Sequence, residues 1–238
     1  MSNLQDIVNR PVLGKLGLGG ILSIAGLIGP VIFLFTEYFT FFNAQYNNDF
    51  IHYSISSLAW TRFGWVQTIG FLTWGLLVEI FAAGVFFTLK GARGFGISLA
   101  LLMFFGFGLL LVGSFHTDVG LDKHTVDGLI HNYAAKAIFW LFPVAAVSII
   151  PTLRQNKLLK QLWLYSLISA LLAVILMICI QTFAERRGWF GLFERLLEAD
   201  AVIWIEILAV WVFRSSLRRP DIAALSHKED LFPPSMLQ

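Results

Sequence analysis

The chain reads as an all-α membrane protein, a bundle of six transmembrane helices with both termini cytoplasmic. Three observations lead there. Six apolar stretches of about 20 residues recur along the 238 residues, the length that a hydrocarbon core of about 30 Å requires. The composition is 57% hydrophobic and only 13% charged, with mean hydropathy +0.74, whereas a soluble domain is about 25% charged. Basic residues gather at alternate connections, as they do beside the cytoplasmic face of a multi-pass protein.

The first stretch, Leu16–Phe39, is too long for the apolar region of a secretory leader. Large residues, Phe42 and Tyr46, follow where small cleavage-site residues would stand, so it reads as a retained helix. The others are Trp65–Leu89, Phe95–Phe115, Leu129–Ile150, Leu159–Phe183 and Leu192–Phe213. Pro30 and Pro143 lie inside helices as candidate kinks. Gly106, Gly108 and Gly113 give the third helix a surface for close packing. Gly91-x-x-Gly94-x-Gly96 follows no strand, so it is a turn and helix start rather than a dinucleotide fingerprint. The connections are too short for a second domain, and the tail from residue 220, with Pro233-Pro234, reads as a flexible cytoplasmic segment.

Arg10 and Lys15 precede the first helix, Lys90 and Arg93 fill the second connection, Arg154, Lys157 and Lys160 the fourth, and Arg214, Arg218 and Arg219 follow the sixth. These ends should be cytoplasmic, in a plasma (bacterial inner) membrane. A net charge of +2 with scattered basic residues gives no nucleic-acid footprint. Cys179 is alone and can form no intrachain disulfide.

The outward connections carry the chemistry. In the first, Ile51, Ile55 and Leu58 fall on one helical stripe beside His52 and Ser56, which predicts a short interfacial helix. In the third, His116, Asp118, Asp122, His124, Asp127 and His131 form the densest group of titratable side chains. His124, Asp127 and His131 share one helical face if the fourth helix starts near Asp122. Imidazole nitrogens and carboxylate oxygens suit zinc or another divalent metal. His116, Asp118, Asp127 and His131 are thus candidate metal ligands, and His52, His116, Asp118 and His131 candidate catalytic groups. The plainer alternative is a solvated loop in which Asp122 caps the helix. Ser56, Arg186, Arg187, Glu194 and Arg195 are candidate contacts for a polar or anionic head group. Glu79, Lys136 and Glu206 lie within predicted spans, where ionisable groups are costly and point to function or to interhelical pairing.

His52-Tyr53-Ser54-Ile55-Ser56-Ser57-Leu58 resembles the H-x-I-S-x-L element of a six-span family known as domain of unknown function 998. Gly70-Phe71, Phe115-His116-Thr117-Asp118, Ile130-His131 and Gly191-Leu192-Phe193-Glu194-Arg195 continue the resemblance in order. It implies a fold and a membrane location, and carries no catalytic role. A looser analogy runs to the ceramidase and adiponectin-receptor type of membrane hydrolase, but this chain has no H-x-x-x-H pair.

Three functions follow as expectations. The first is a metal-assisted hydrolase or transferase acting on a lipid or amphiphile. The second is a small transporter or ion-coupled protein using Glu79 and Glu206. The third is a non-catalytic sensor or assembly factor. The topology has its own test. Cysteines placed at Asp122 and Gly188 should react with an impermeant thiol reagent on intact cells, and cysteines at Gly91 and Gln155 should not. Labelling of the second pair overturns the orientation.

Overall fold

The computed structural model describes residues 17–44, 49–118, 125–184 and 188–217. All regular structure among them is helical. Five helices are long and apolar enough to cross a membrane: α1 (Leu18–Phe42), α2 (Gly64–Leu89), α3 (Phe95–Ser114), α4 (Val126–Gln155) and α5 (Leu162–Thr182). A sixth, α6 (Phe190–Leu217), has 28 residues. It is less apolar because it carries Glu194, Arg195, Glu198, Asp200, Glu206 and Arg214. Five of the six expected spans are recovered with shifts of a few residues at their ends, and a helix occupies the place of the sixth. The expected flexible tail lies outside the described residues.

The helices form a closed ring. Each packs on its neighbours in sequence, and α6 returns to pack on α1 as well as α5. Small residues set the closest approaches. A Cβ on Gly26 would lie 2.8 Å from the Ala209 Cβ, one on Gly84 would lie 2.9 Å from the Ser23 backbone nitrogen, and one on Gly108 would overlap Ile138. Bundles in lipid gain little from burying apolar surface against one another, so such backbone approaches supply much of the packing attraction. Outward faces carry large apolar side chains, among them Phe35, Trp65, Leu76, Phe104 and Ile175. That is the pattern of a lipid-facing surface.

Consecutive helices run in opposite directions, so the first, third and fifth connections share one end. Leu192 donates its N–H to the Ile51 carbonyl (3.1 Å), and the Trp60 indole donates to the Thr117 carbonyl (2.7 Å). At the opposite end Gly91 and Gly94 adopt φ of 91° and 82°. Glycine takes that left-handed region without a Cβ penalty, which allows the tight α2–α3 turn. Gln155 fastens this turn to α4 through the Arg93 N–H (3.0 Å) and carbonyl (3.1 Å).

Two local expectations are corrected. The first connection forms a 3-10 turn, Ser56–Trp60, rather than a helix with a 51/55/58 stripe. Ile55 and Leu58 are buried while Ile51 is exposed. The cap of α4 is Thr125, whose side chain accepts from the Gly128 N–H (3.0 Å). The helix therefore starts later than a start near Asp122 would give, and Asp122 and His124 fall outside the described residues.

Close packing of α1 on α2 yields a test. Gly84→Leu should lower the unfolding temperature in detergent, since overpacking costs about 1–3 kcal/mol. Gly96→Ala, with nothing within 4 Å of its added carbon, should leave it unchanged. Equal effects would show that Gly84 is not an interhelical contact.

Candidate functional site

The side chains that converge are not those of the expected metal centre. Asp118 accepts from the Thr125 N–H (3.0 Å) and hydroxyl (2.7 Å), so its carboxylate fixes the start of α4. His131 is buried, and its Nδ1 lies 2.7 Å from the Phe115 carbonyl and 3.2 Å from that of Val112. That nitrogen is the natural donor, leaving Nε2 as the ring's remaining acceptor. His116 packs edge-on against Trp60 and is exposed, and Asp127 is exposed in the first turn of α4. His52 is exposed and pairs with Asp49. Slight desolvation raises the Asp49 pKa, but the His52 ring and the N–H groups of Ile51 and His52 outweigh it and hold the carboxyl below the usual range. Among the described residues no three His, Cys, Asp or Glu side chains are placed to hold a metal ion. The constellation His116, Asp118, Asp127 and His131 is therefore corrected. Asp118 and His131 answer local backbone needs, His116 packs on Trp60, and Asp127 faces solvent.

The intramembrane charges also separate. Lys136 makes no ion pair with a described residue, so the expected pairing with Glu79 or Glu206 is absent. Glu79 instead packs at the Gly106 notch of α3.

What the ring does gather is a buried charged cluster on α6 and α1. Arg195 Nε lies 2.9 Å from Glu37 Oε1. The N–H is not aimed along that contact, so it is an ion pair rather than a hydrogen bond. Arg195 Nη1 donates to the carbonyls of Tyr53 (2.7 Å), Gly191 (3.1 Å) and Phe50 (3.2 Å). Glu194 accepts from the Ile55 N–H (2.7 Å). Glu198 lies close enough to Glu37 for the two carboxyl groups to interact. Three carboxylates thus meet one guanidinium. Gly191 is required here, since a Cβ would overlap the Tyr53 carbonyl.

Beside this cluster, at the centre of the ring, lies a cavity of about 50 Å³. Phe33, Phe71, Phe105 and Phe142 form much of its wall. Ser56, Trp74, His131, Glu194 and Glu198 bring polar groups to it. Trp74 Nε1 and Glu198 Oε1 are buried and have no hydrogen-bond partner.

Of the residues chosen from sequence for a head group, Ser56 and Glu194 line the cavity, Arg195 is turned into the protein, and Arg186 and Arg187 lie outside the described residues. Glu37, Trp74 and Glu198 are not among the residues that the sequence singles out. The signal for Glu37 was a carboxylate within a long apolar stretch, between Thr36 and Thr40. For Glu198 it was the spacing Glu194, Glu198, Ala201, which is one helical face.

A model of the family described as protein of unknown function (DUF998) matches residues 27–211. The chain belongs to that family. No curated protein and no solved structure matches it.

The cluster predicts a strong coupling. Arg195→Met strands Glu37 in a site where only 3% of its side chain is exposed. Breaking a buried pair on one side costs about 3–5 kcal/mol. Arg195→Met should therefore lower thermal stability sharply, and Glu37→Gln should restore part of it in the double variant. Strict additivity would mean that the pair contributes nothing.

Proposed function

We propose that this chain crosses the plasma membrane six times with both termini in the cytoplasm, and that it binds the head of a small amphiphile in its central cavity. For the sixth crossing, α6 is about 42 Å long at 1.5 Å per residue, enough to span the core. Leu196, Ala199 and Ile203 form its exposed stripe, while Glu194 and Asp200 are buried and Arg195 pairs inward. Apolar outside and charged inside is the reverse of a soluble amphipathic helix and suits lipid. Lys90, Arg93, Arg154, Lys157, Lys160 and Arg214 support a cytoplasmic assignment for the end where they lie.

One observation carries the binding reading: two unpartnered buried polar atoms, Trp74 Nε1 and Glu198 Oε1, face one aromatic-walled cavity. Each unsatisfied group costs about 1–3 kcal/mol, which a ligand offering the complementary group relieves. The head group should donate to Glu198 and accept from Trp74. The aromatic faces and the excess of carboxylates over guanidinium favour a cationic nitrogen. At about 50 Å³ the cavity admits only a small terminal group of such a molecule, so the rest of it lies outside. The bound class proposed here is the lipid or amphiphile that the sequence leads one to expect. Any hydrolysis or group transfer on the bound molecule falls to Glu194, Glu198 and His131, the proton-carrying groups of the cavity wall.

The test is native mass spectrometry of protein released from mild detergent. The wild type should carry a non-covalent adduct of one defined mass. Ala201→Phe, which fills the cavity, and Glu198→Gln, which leaves its shape, should both lose it. Equal occupancy in all three, or a bare wild type, contradicts the reading.

A further inference from the structure

A second recess lies on the outside of the ring, between α4 and α5, with a volume of about 530 Å³. Its polar side chains are Asn132, Lys136 and Gln181, and Met177, Trp140 and Phe190 lie beside them. Ile180 and Gln181 belong to a π-helical turn, Ile180–Ala184, that follows the regular part of α5. Such turns widen a helix locally and are frequent at functional sites. Asn132, Lys136, Trp140 and Gln181 are exposed, and the flanking faces of α4 and α5 present Tyr133, Val144, Leu172 and Ile175 outward. The recess therefore opens toward lipid rather than into the bundle.

Lys136 is the feature that packing does not explain. No described carboxylate pairs with it. Its depth can be judged from helix length. The 30 residues of α4 extend about 45 Å at 1.5 Å per residue, which exceeds a hydrocarbon core of about 30 Å by about 15 Å. Shared between the two ends, this overhang puts the tenth residue after Val126 about 7–8 Å below the lipid boundary. A lysine stem is long enough to lift its ammonium from there toward the boundary. In this recess that brings it to the edge of the hydrocarbon core, where it can meet the phosphate of a lipid seated there, with the Asn132 and Gln181 amides in the same recess to hydrogen-bond phosphate or ester oxygens. Lysine favours phosphate as a point charge. Trp140 and Phe139 offer apolar surface for the first part of an acyl chain.

The geometry points to a specific site for an anionic phospholipid at this recess, its phosphate on Lys136 and its chains along α4 and α5. Ala135 and Phe139 line both the recess and the central cavity, so the two are separated by one layer of side chains. The lipid site stands on Lys136 and the recess alone, and holds whether or not the central cavity binds anything.

Trp140 reports on the site directly. The full chain is placed in nanodiscs of phosphatidylcholine containing a rising fraction of chain-brominated phosphatidylglycerol, with chain-brominated phosphatidylcholine as the matched control. Bromine quenches indole emission on contact, and the Trp140 signal is the difference between the parent and Trp140→Phe. The glycerol lipid should half-quench this signal at about a fivefold lower mole fraction than the choline lipid, the factor expected for one lysine meeting an anionic head group. Lys136→Met should abolish that preference, and Lys136→Arg should keep it. Millimolar inorganic phosphate should leave it unchanged, since the ligand is a lipid and not a free anion. Equal quenching by both lipids overturns the proposal, as does a preference that survives Lys136→Met or is erased by phosphate. Ala201→Phe, which fills only the central cavity, should not alter the preference, so failure here and failure of the cavity reading are told apart.

Discussion

Everything at the connection-rich end hangs on the Arg195 guanidinium. It sits one turn into α6, pairs with Glu37 of α1, and takes in the carbonyls of Phe50, Tyr53 and Gly191. A chain carbonyl in a bundle needs a protein partner wherever water does not reach it. Arginine supplies five donors in a fixed fork, so one side chain ties the first connection, α1 and α6 together. Glu194, next to it, completes the seam by accepting the Ile55 N–H. Ring closure between the first and last helices and the position of the cavity roof follow from this arrangement.

The same arrangement explains the electrostatics of the interior. Glu37, Glu194 and Glu198 converge on Arg195, the cation nearest them among the described residues. Buried charge is tolerated when geometry and additional hydrogen bonds compensate desolvation. Here Arg195 Nη1 and the Glu194 oxygen that Ile55 reaches are hydrogen-bonded, while Glu37 Oε1, Arg195 Nε and Nη2, Glu198 Oε1 and Trp74 Nε1 are not. Of these, Glu198 and Trp74 line the cavity, and the binding proposal rests on them.

The fold was largely legible in the sequence because the bilayer imposes a length and a polarity that any apolar run must satisfy. The helix α2 was placed to within a residue because Trp65 and Lys90 flank it with interfacial chemistry. The site was legible only in part. Glu194, Arg195 and Ser56 stood out as polar residues in outward connections, and two of the three reach the cavity wall. Histidines and aspartates dense in sequence looked like a metal centre, yet Asp118 and His131 satisfy backbone groups at the α3–α4 turn instead. Sequence density reports proximity along the chain. Convergence between α1 and α6, residues 37 and 198, depends on the order of helices round the ring, which no local pattern encodes. Trp74 was invisible for a further reason: one tryptophan among eight in an apolar chain shows its missing partner only when its neighbours are known.

The central claim is that α6 turns its charged face inward and closes the ring on α1. Disulfide trapping between Gly26→Cys and Ala209→Cys tests it most directly, in a Cys179→Ser background. Their Cβ positions fall 2.8 Å apart before any relaxation, and a disulfide holds its Cβ atoms about 3.5–4.5 Å apart, so a small outward shift suffices. Mild oxidation in native membranes should link this pair rapidly, while Gly26→Cys with Ile203→Cys, on the exposed stripe of α6, should stay reduced. Linking of the Ile203 pair in preference to the Ala209 pair would mean that α6 presents its charges to lipid, and the ring, the cluster and the cavity would fall together.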